Sequence, residues 1–236
     1  MSGGTGRGLR GWLAAAIELA VPLECGGCRR AGVGWCAPCR AAFDDGPEPV
    51  RPRLDPQVPL WTMGRYAGPR REVVLAAKEH GRTDLIRDLG ALLALGLARL
   101  REDGQIAPAA LAPLVLVPAP TRRAAARRRG GDPVRRIAEA AAHTTAEVFG
   151  ARPRVWPALE TAPGAADSVG LGARERDENM RGRVRLARRA GPNPSAGAEV
   201  VLVDDVVTTG ATMAESVRVL AARGVPVRAG LTLVRA

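Results

Sequence analysis

The stretch VVLVDDVVTTGATM, residues 200–213, joins a strongly apolar run to two adjacent acids, Asp204 and Asp205, and then to a loop of small and hydroxyl-bearing residues. Neighbouring carboxylates repel each other, and a fold tolerates them best where cations or hydroxyl donors offset the charge. Residues 208–212 (TTGAT) lead into a helical pattern. Backbone N–H groups at a helix start, with the helix dipole behind them, suit an anion. Gly210 permits close approach of a ligand, and Thr208, Thr209 and Thr212 add hydroxyl donors. Acids that accept hydroxyl hydrogens, set beside a cradle for an anion, match the two halves of a sugar phosphate. The plainer alternative is a strand ended by a capped turn, with Asp205 or one threonine as the helix N-cap. That accounts for one acid and one threonine and leaves the rest of the string without a role.

A second constellation is Cys25, Cys28, Cys36 and Cys39, a C-x2-C-x7-C-x2-C array. Two paired knuckles let four thiolates converge tetrahedrally on one Zn2+. Two disulfides would use the same residues, but nothing else in the chain suggests secretion. No fifth ligand-type residue stands nearby, so the expected metal is structural. Its loss should unfold the module and leave the main domain standing.

Basic residues supply the third signal. LVLVPAP (114–120) ends an apolar run at Pro118, Ala119 and Pro120, and TRRAAARRRGGDP follows. Arg122, Arg123 and Arg127 to Arg129 carry guanidinium forks that match phosphate oxygens; a solvated basic loop is the alternative. Lys78 is the single lysine of a chain whose other basic residues, apart from two histidines, are all arginine. Either it serves as a compact point charge toward a phosphate ligand or a closing loop, or it caps the C-terminus of its helix. His80 and His143 are solitary and receive no role.

These residues need a frame, and the pattern of the chain supplies one. Strands are expected over 60–66, 114–118, near 153–156, over VVLVDD and over 225–236. Helices are expected from Pro69, over 83–100 with Thr83 as cap, from Pro133 to Val148, and over 211–223 before Gly224. Residues 161–182 look irregular or partly helical. Strands alternating with helices imply an α/β fold with a mostly parallel sheet and helices on both faces. In such sheets the ligand lies beyond the carboxyl ends of the strands, which is where the two acids are expected. Residues 44–59 are rich in proline and acids, a linker composition. The expected division is therefore 1–58, holding a short amphipathic helix, the cysteine knuckle and the linker, and 59–236, the main domain.

The formal net charge is +11, which favours anionic partners. Basicity supplied by arginine, with abundant Ala and Gly, also reflects the residue bias of a GC-rich genome. Aromatics are 3%, too few for a base-stacking surface. No apolar run is long enough to span a bilayer. Arg7 and Arg10 before WLAAAIELAVPL imitate a signal peptide, but Glu18 interrupts the apolar stretch and no small-residue cleavage site follows. A cytoplasmic protein without membrane insertion is expected.

VVLVDDVVTTGATM resembles the 5-phosphoribosyl 1-pyrophosphate (PRPP) signature of type I phosphoribosyltransferases. The resemblance implies that Asp204 and Asp205 hold the ribose hydroxyls, and that Thr208, Thr209, Gly210, Ala211 and Thr212 cradle the 5′-phosphate. A cysteine knuckle ahead of such a domain resembles the ComF family. LAVPLECGGC, the stretch from Tyr66 through Arg71 to Lys78, LVPAPTRRAAARRRG, and GLGARERDENMRG at Leu171, Arg176 and Asn179 extend the likeness along most of the chain. Gly131, Asp132 and Pro133 depart from the family's Phe-Asn-Gln, Ser168 stands near its usual glutamine, and Arg183 and Val184 replace its Ala-Phe. The resemblance implies a type I phosphoribosyltransferase fold with an N-terminal four-cysteine zinc module, and PRPP bound with Mg2+. It implies phosphoribosyl transfer to a nitrogen acceptor with release of pyrophosphate. Pro118, Ala119, Arg122 and Arg129 would line the pyrophosphate loop, Asp204, Asp205 and Lys78 would be the catalytic residues, and residues 161–182 would form a hood. Alternatives are a competence-associated factor engaging single-stranded DNA, a helicase and DNA-processing proteins, or a PRPP sensor without turnover.

Overall fold

A long apolar run bordered by helical patterns belongs in the middle of a sheet, and residues 199–207 lie there. The structure, a computed structural model, describes residues 23–121, 131–150, 152–162 and 182–236. Along these run α1 (Ala37–Ala41), β1 (Glu48–Pro49), β2 (Leu60–Thr62), α2 (Gly68–Glu79), α3 (Leu85–Glu102), β3 (Leu114–Pro118) and α4 (Pro133–Phe149). They are followed by β4 (Arg154–Val155), β5 (Leu159–Thr161), β6 (Val184–Leu186), β7 (Glu199–Val207), α5 (Ala211–Ala222) and β8 (Ala229–Arg235). The expected α/β architecture is present: one sheet runs β1-β2-β8-β7-β3-β4, with β1 antiparallel to β2 and every other pair parallel. All five residues of β3 are buried, as parallel strands covered on both faces should be. Among the described residues no helix is long and apolar enough to cross a membrane.

Two apolar layers sandwich the sheet. On one face α2, α3 and α4 pack over Leu116, Val201, Val203, Leu231 and Leu233. On the other, Met213, Val219 and Leu220 of α5 meet Leu60, Val117, Val200 and Leu202. Helices α3 and α4 approach closely at Gly90, where a Cβ would collide with Ala140 and come within 2.8 Å of the Ala141 amide. β5 and β6 form a separate two-stranded antiparallel sheet, not anticipated from the sequence, and they join the α5-side layer through Leu159 and Val184.

Three local expectations change. β2 covers three residues and not 60–66, because the chain turns at Gly64, where φ is +151°. Thr83 does not cap α3; Asp84 takes the N-cap position, and its carboxylate is held by Arg82 at 2.8 and 2.7 Å. Residues 44–59 bury more than their composition suggests. β1 extends the sheet, Val50 donates its N–H to Leu60 O at 2.8 Å, and Leu54 donates to Thr209 O at 2.8 Å.

The cysteine segment packs on the main core. Cys25, Trp35, Cys36, Cys39 and Phe43 share one apolar cluster with Val73, Leu85 and Leu89. Trp35 and Phe43 meet edge to face with ring centroids 5.7 Å apart, a favoured aromatic geometry. Arg82 ties the module down by donating to Glu24 O and Gly34 O.

Candidate functional site

β3 stops at Pro118, opposite Val203, and Ala119 donates its N–H to Val203 O at 2.8 Å. β7 continues to Val207 against β8 alone, through Val206 beside Val234 and Val207 beside Arg235. Beyond Val203 one edge of β7 is therefore free of β3, and Asp204 and Asp205 come next. The sequence places the acids at the strand end; in the structure they lie two residues before it. β3 passes into α4 on one face of the sheet, and β7 passes into α5 on the other. The crevice between diverging connections is where open α/β sheets take ligands.

Alternation along β7 sends neighbouring side chains to opposite faces. Val201 and Val203 face α2–α4, and Asp205 follows them. Its carboxylate is 4% exposed and meets Lys78 of α2, with Nζ 2.9 Å from Oδ1 and 2.8 Å from Oδ2. The contact to Oδ1 is a directed hydrogen bond; Oδ2 is buried and close to the ammonium without one. Lys78 therefore joins the acids and leaves the helix end to His80, whose N–H bonds to Ala76 O. Asp204 follows Val200 and Leu202 toward the α5 face, is partly exposed, and accepts the Asp205 N–H at 2.8 Å.

The electrostatics of the three groups interlock. Burial pushes the Asp204 carboxyl well above its usual range, the Asp205 charge adds to this, and Lys78 opposes it. Burial works to lower the Lys78 pKa, but the charges of Asp205 and Asp204 outweigh it and hold the ammonium above its ordinary value. The site thus keeps a firmly charged ammonium beside an acid that resists ionisation.

The loop after β7 is short. Thr208 is exposed, Thr209 and Thr212 are partly buried, and Gly210 and Ala211 are buried. Gly210 has φ +85° and forms the N-cap of α5. A Cβ there would run into Leu54 O and lie 2.7 Å from Pro52 Cβ. Thr209 Oγ1 accepts the Ala211 N–H at 3.4 Å. The first-turn amides of α5 open at the same end of the sheet as the acids, the position from which a helix favours an anion. Segment 52–54, part of the proline-rich stretch 44–59 read from its composition as a linker, backs this loop.

Pro118 and Ala119 lie at the carboxyl end of β3, both buried, beside Val203. Arg122 and Arg129 lie outside the described residues, as do Arg123, Arg127, Arg128, Ser168, Leu171, Arg176 and Asn179. The frame of the arginine-rich segment is nevertheless defined. Thr121 Oγ1 donates to Asp132 Oδ1 at 2.8 Å, and the same oxygen accepts the Arg135 N–H at 3.3 Å. Asp132 is the N-cap of α4 and Pro133 opens the helix, which is good helix-start chemistry. Asp132 and Pro133 thus have a structural use. Two further acids escaped the sequence reading. Glu160 of β5 holds Arg185 of β6 at 2.9 Å. Glu215 of α5 accepts the Gly182 N–H at 2.8 Å and pairs with Arg218.

At the N-terminal module the ligand atoms of Cys25, Cys28, Cys36 and Cys39 all lie within 4.8 Å of one another. Cys25 and Cys36 sulfurs are 3.5 Å apart and Cys28 and Cys36 sulfurs 3.6 Å. All four thiols are free, and these separations are too long for disulfides, whose sulfurs lie about 2.05 Å apart. They match the edges of a tetrahedron with metal–sulfur bonds of about 2.3 Å. Gly27 and Cys36 direct their N–H groups at Cys25 Sγ, at 3.4 and 3.3 Å. Burial acts to raise the Cys25 thiol, but these N–H contacts prevail and bring it down to about 6, whereas burial and the neighbouring thiols push Cys39 up. A closed set of four sulfurs fits a structural Zn2+ with no open position for chemistry. Mg2+ does not fit the acid pair in the same way, because both oxygens of Asp205 already face an ammonium.

No protein-family model matches the chain, and no curated protein is similar to it.

Proposed function

We propose that the chain binds PRPP and is a ComF-type member of the type I phosphoribosyltransferases. The observation that carries this reading is the joint position of Asp204, Asp205 and the Thr208–Thr212 loop at the β3–β7 crevice. In it, the acids accept hydrogen bonds from the ribose 2- and 3-hydroxyls. The loop amides and threonine hydroxyls hold the 5′-phosphate, and the backbone at Pro118 and Ala119 faces the pyrophosphate. A nitrogen nucleophile then forms a bond to C1 as the C1–O bond breaks. Pyrophosphate leaves with that electron pair, and the nitrogen's proton passes to solvent. The chain contributes position and charge in place of covalent chemistry. Mg2+ belongs to the pyrophosphate of the incoming ligand and is not held by the acid pair.

Calorimetric titration of PRPP with Mg2+ tests the reading, with the wild type beside an Asp204→Ala/Asp205→Ala variant. Two lost hydrogen bonds, at about 0.5–1.5 kcal/mol each, predict a loss of roughly 5- to 150-fold in affinity. Equal binding by a folded double variant would place the ligand elsewhere. Pyrophosphate release with a panel of nitrogen bases then separates an enzyme from a PRPP sensor.

A further inference from the structure

Two adjacent acids at a sheet edge invite a divalent cation, and the chain has already answered that charge from within. Lys78 Nζ sits 2.9 and 2.8 Å from the two oxygens of Asp205, which is itself 4% exposed. The partners are far apart in sequence, on α2 and β7, so the contact is built by tertiary packing. α2 is fixed by Val73, Val74, Ala76 and Ala77, all buried against the main core. The choice of residue is also telling. The chain uses arginine for every other strong base. A planar guanidinium spreads its charge over a fork, whereas an ammonium concentrates it on one atom that can approach both oxygens of a single carboxylate. The Lys78 side chain remains 32% exposed, so the ammonium also borders the crevice.

Resting on the PRPP reading above, we propose that Lys78 is the resident counter-ion of the acid pair, so that Asp204 and Asp205 take the vicinal hydroxyls of a ribose 5-phosphate with no divalent cation of their own. Lys78 is a positioning residue in this scheme. It holds the Asp205 carboxylate by close contact with both oxygens, and a free divalent cation gains little there because its place is filled by a positive charge. Metal dependence then belongs to ligands that carry pyrophosphate.

Ribose 5-phosphate, which has the diol and the phosphate but no pyrophosphate, isolates this role. Its binding to the full-length protein is measured in EDTA and again in Mg2+, for the wild type, Lys78→Ala and Lys78→Arg. The wild type is expected to bind equally in both buffers. Lys78→Ala is expected to lose about tenfold or more in EDTA, the scale of a hydrogen bond to a charged group. Ethylammonium or Mg2+ should recover that loss and tetramethylammonium should not, because only the first two bring a compact charge to Asp205. A purely structural role for Lys78 would give no such recovery. Wild-type binding that requires Mg2+ overturns the proposal, even where a variant fails to fold. So does unchanged metal-free binding by Lys78→Ala, which leaves the PRPP reading intact. No binding of ribose 5-phosphate to the wild type in either buffer also overturns the proposal, and the PRPP titration decides separately whether the PRPP reading stands.

Discussion

Gly210→Ala tests whether segment 52–54 holds the loop after β7 in place. Gly210 has φ +85°, and a non-glycine residue in that left-handed region costs roughly 1–2 kcal/mol. The same cost applies at Gly224, where φ is +75° and no atom lies within 4 Å of the place a methyl would take. At Gly210 the methyl would also meet Leu54 O, and would lie 2.7 and 2.8 Å from Pro52 Cβ and Cγ. A carbonyl and a proline ring cannot swing aside as a flexible side chain would, so the segment must shift. The Leu54 N–H to Thr209 O hydrogen bond is then at risk, worth about 1 kcal/mol. The sum is about 2–3 kcal/mol at Gly210 against about 1–2 at Gly224. At ~2–4 °C per kcal/mol for a chain of this size, this predicts Tm losses of roughly 4–12 °C and 2–8 °C. Thermal unfolding followed by circular dichroism, run on both variants side by side, measures the difference. Equal losses would mean that the close approach of segment 52–54 contributes nothing and that only backbone conformation matters.

Asp204→Asn should stabilise the fold at neutral pH by about 0.5–2 kcal/mol, the usual conflict between a functional group and stability, and on the PRPP reading it should weaken binding by up to about tenfold. The Asp204 pKa is raised in the fold, so its contribution is most favourable at and below the ordinary carboxylate range and is lost as pH rises from there through the raised folded value. The advantage of the asparagine in chemical denaturation should therefore shrink toward pH 4 and grow toward pH 8. Cys39→Ser should remove bound zinc in elemental analysis and lower the Tm of the whole chain by roughly 5–10 °C, since the thiols share one apolar cluster with α2 and α3; an unchanged main transition would restore the picture of an independent module. Asp132→Ala removes the α4 cap and the bond from Thr121 together, and should cost about 2 kcal/mol in urea unfolding.

The sequence was most informative where one local pattern meets one physical demand. Continuous apolar runs located β3 and β7, and proline followed by helical spacing located α2 and α4. Cysteine spacing anticipated the four-sulfur cluster because thiolates that share a metal must come in close pairs. The parts that escaped depend on partners distant along the chain. Residues 50–54 carry no periodic signal, and only the opposing surface of Gly210 makes them more than a connector. β5 and β6 have three residues each, too few for alternation to register. The pairing of Lys78 with Asp205 was outside any local pattern, although the rarity of lysine in this chain marked the residue. Asp84 takes the N-cap position of α3 without a side-chain cap bond, because its carboxylate is held by Arg82.

The hydrogen bonds that border the arginine-rich segment and the region between β5 and β6 carry an evolutionary consequence. Thr121 and Asp132 close the first segment at its base, and Ala162 donates its N–H to Arg183 O at 2.7 Å, closing the second. Thr161 Oγ1 also donates to Thr121 O at 3.4 Å, so the two bases are fastened to each other. Chain inserted between clamped ends adds little loop-closure entropy as it lengthens. Added length between Thr121 and Asp132, or between Ala162 and Arg183, is therefore a small entropic cost to the frame, and it can change while β7 and its acids stay unchanged.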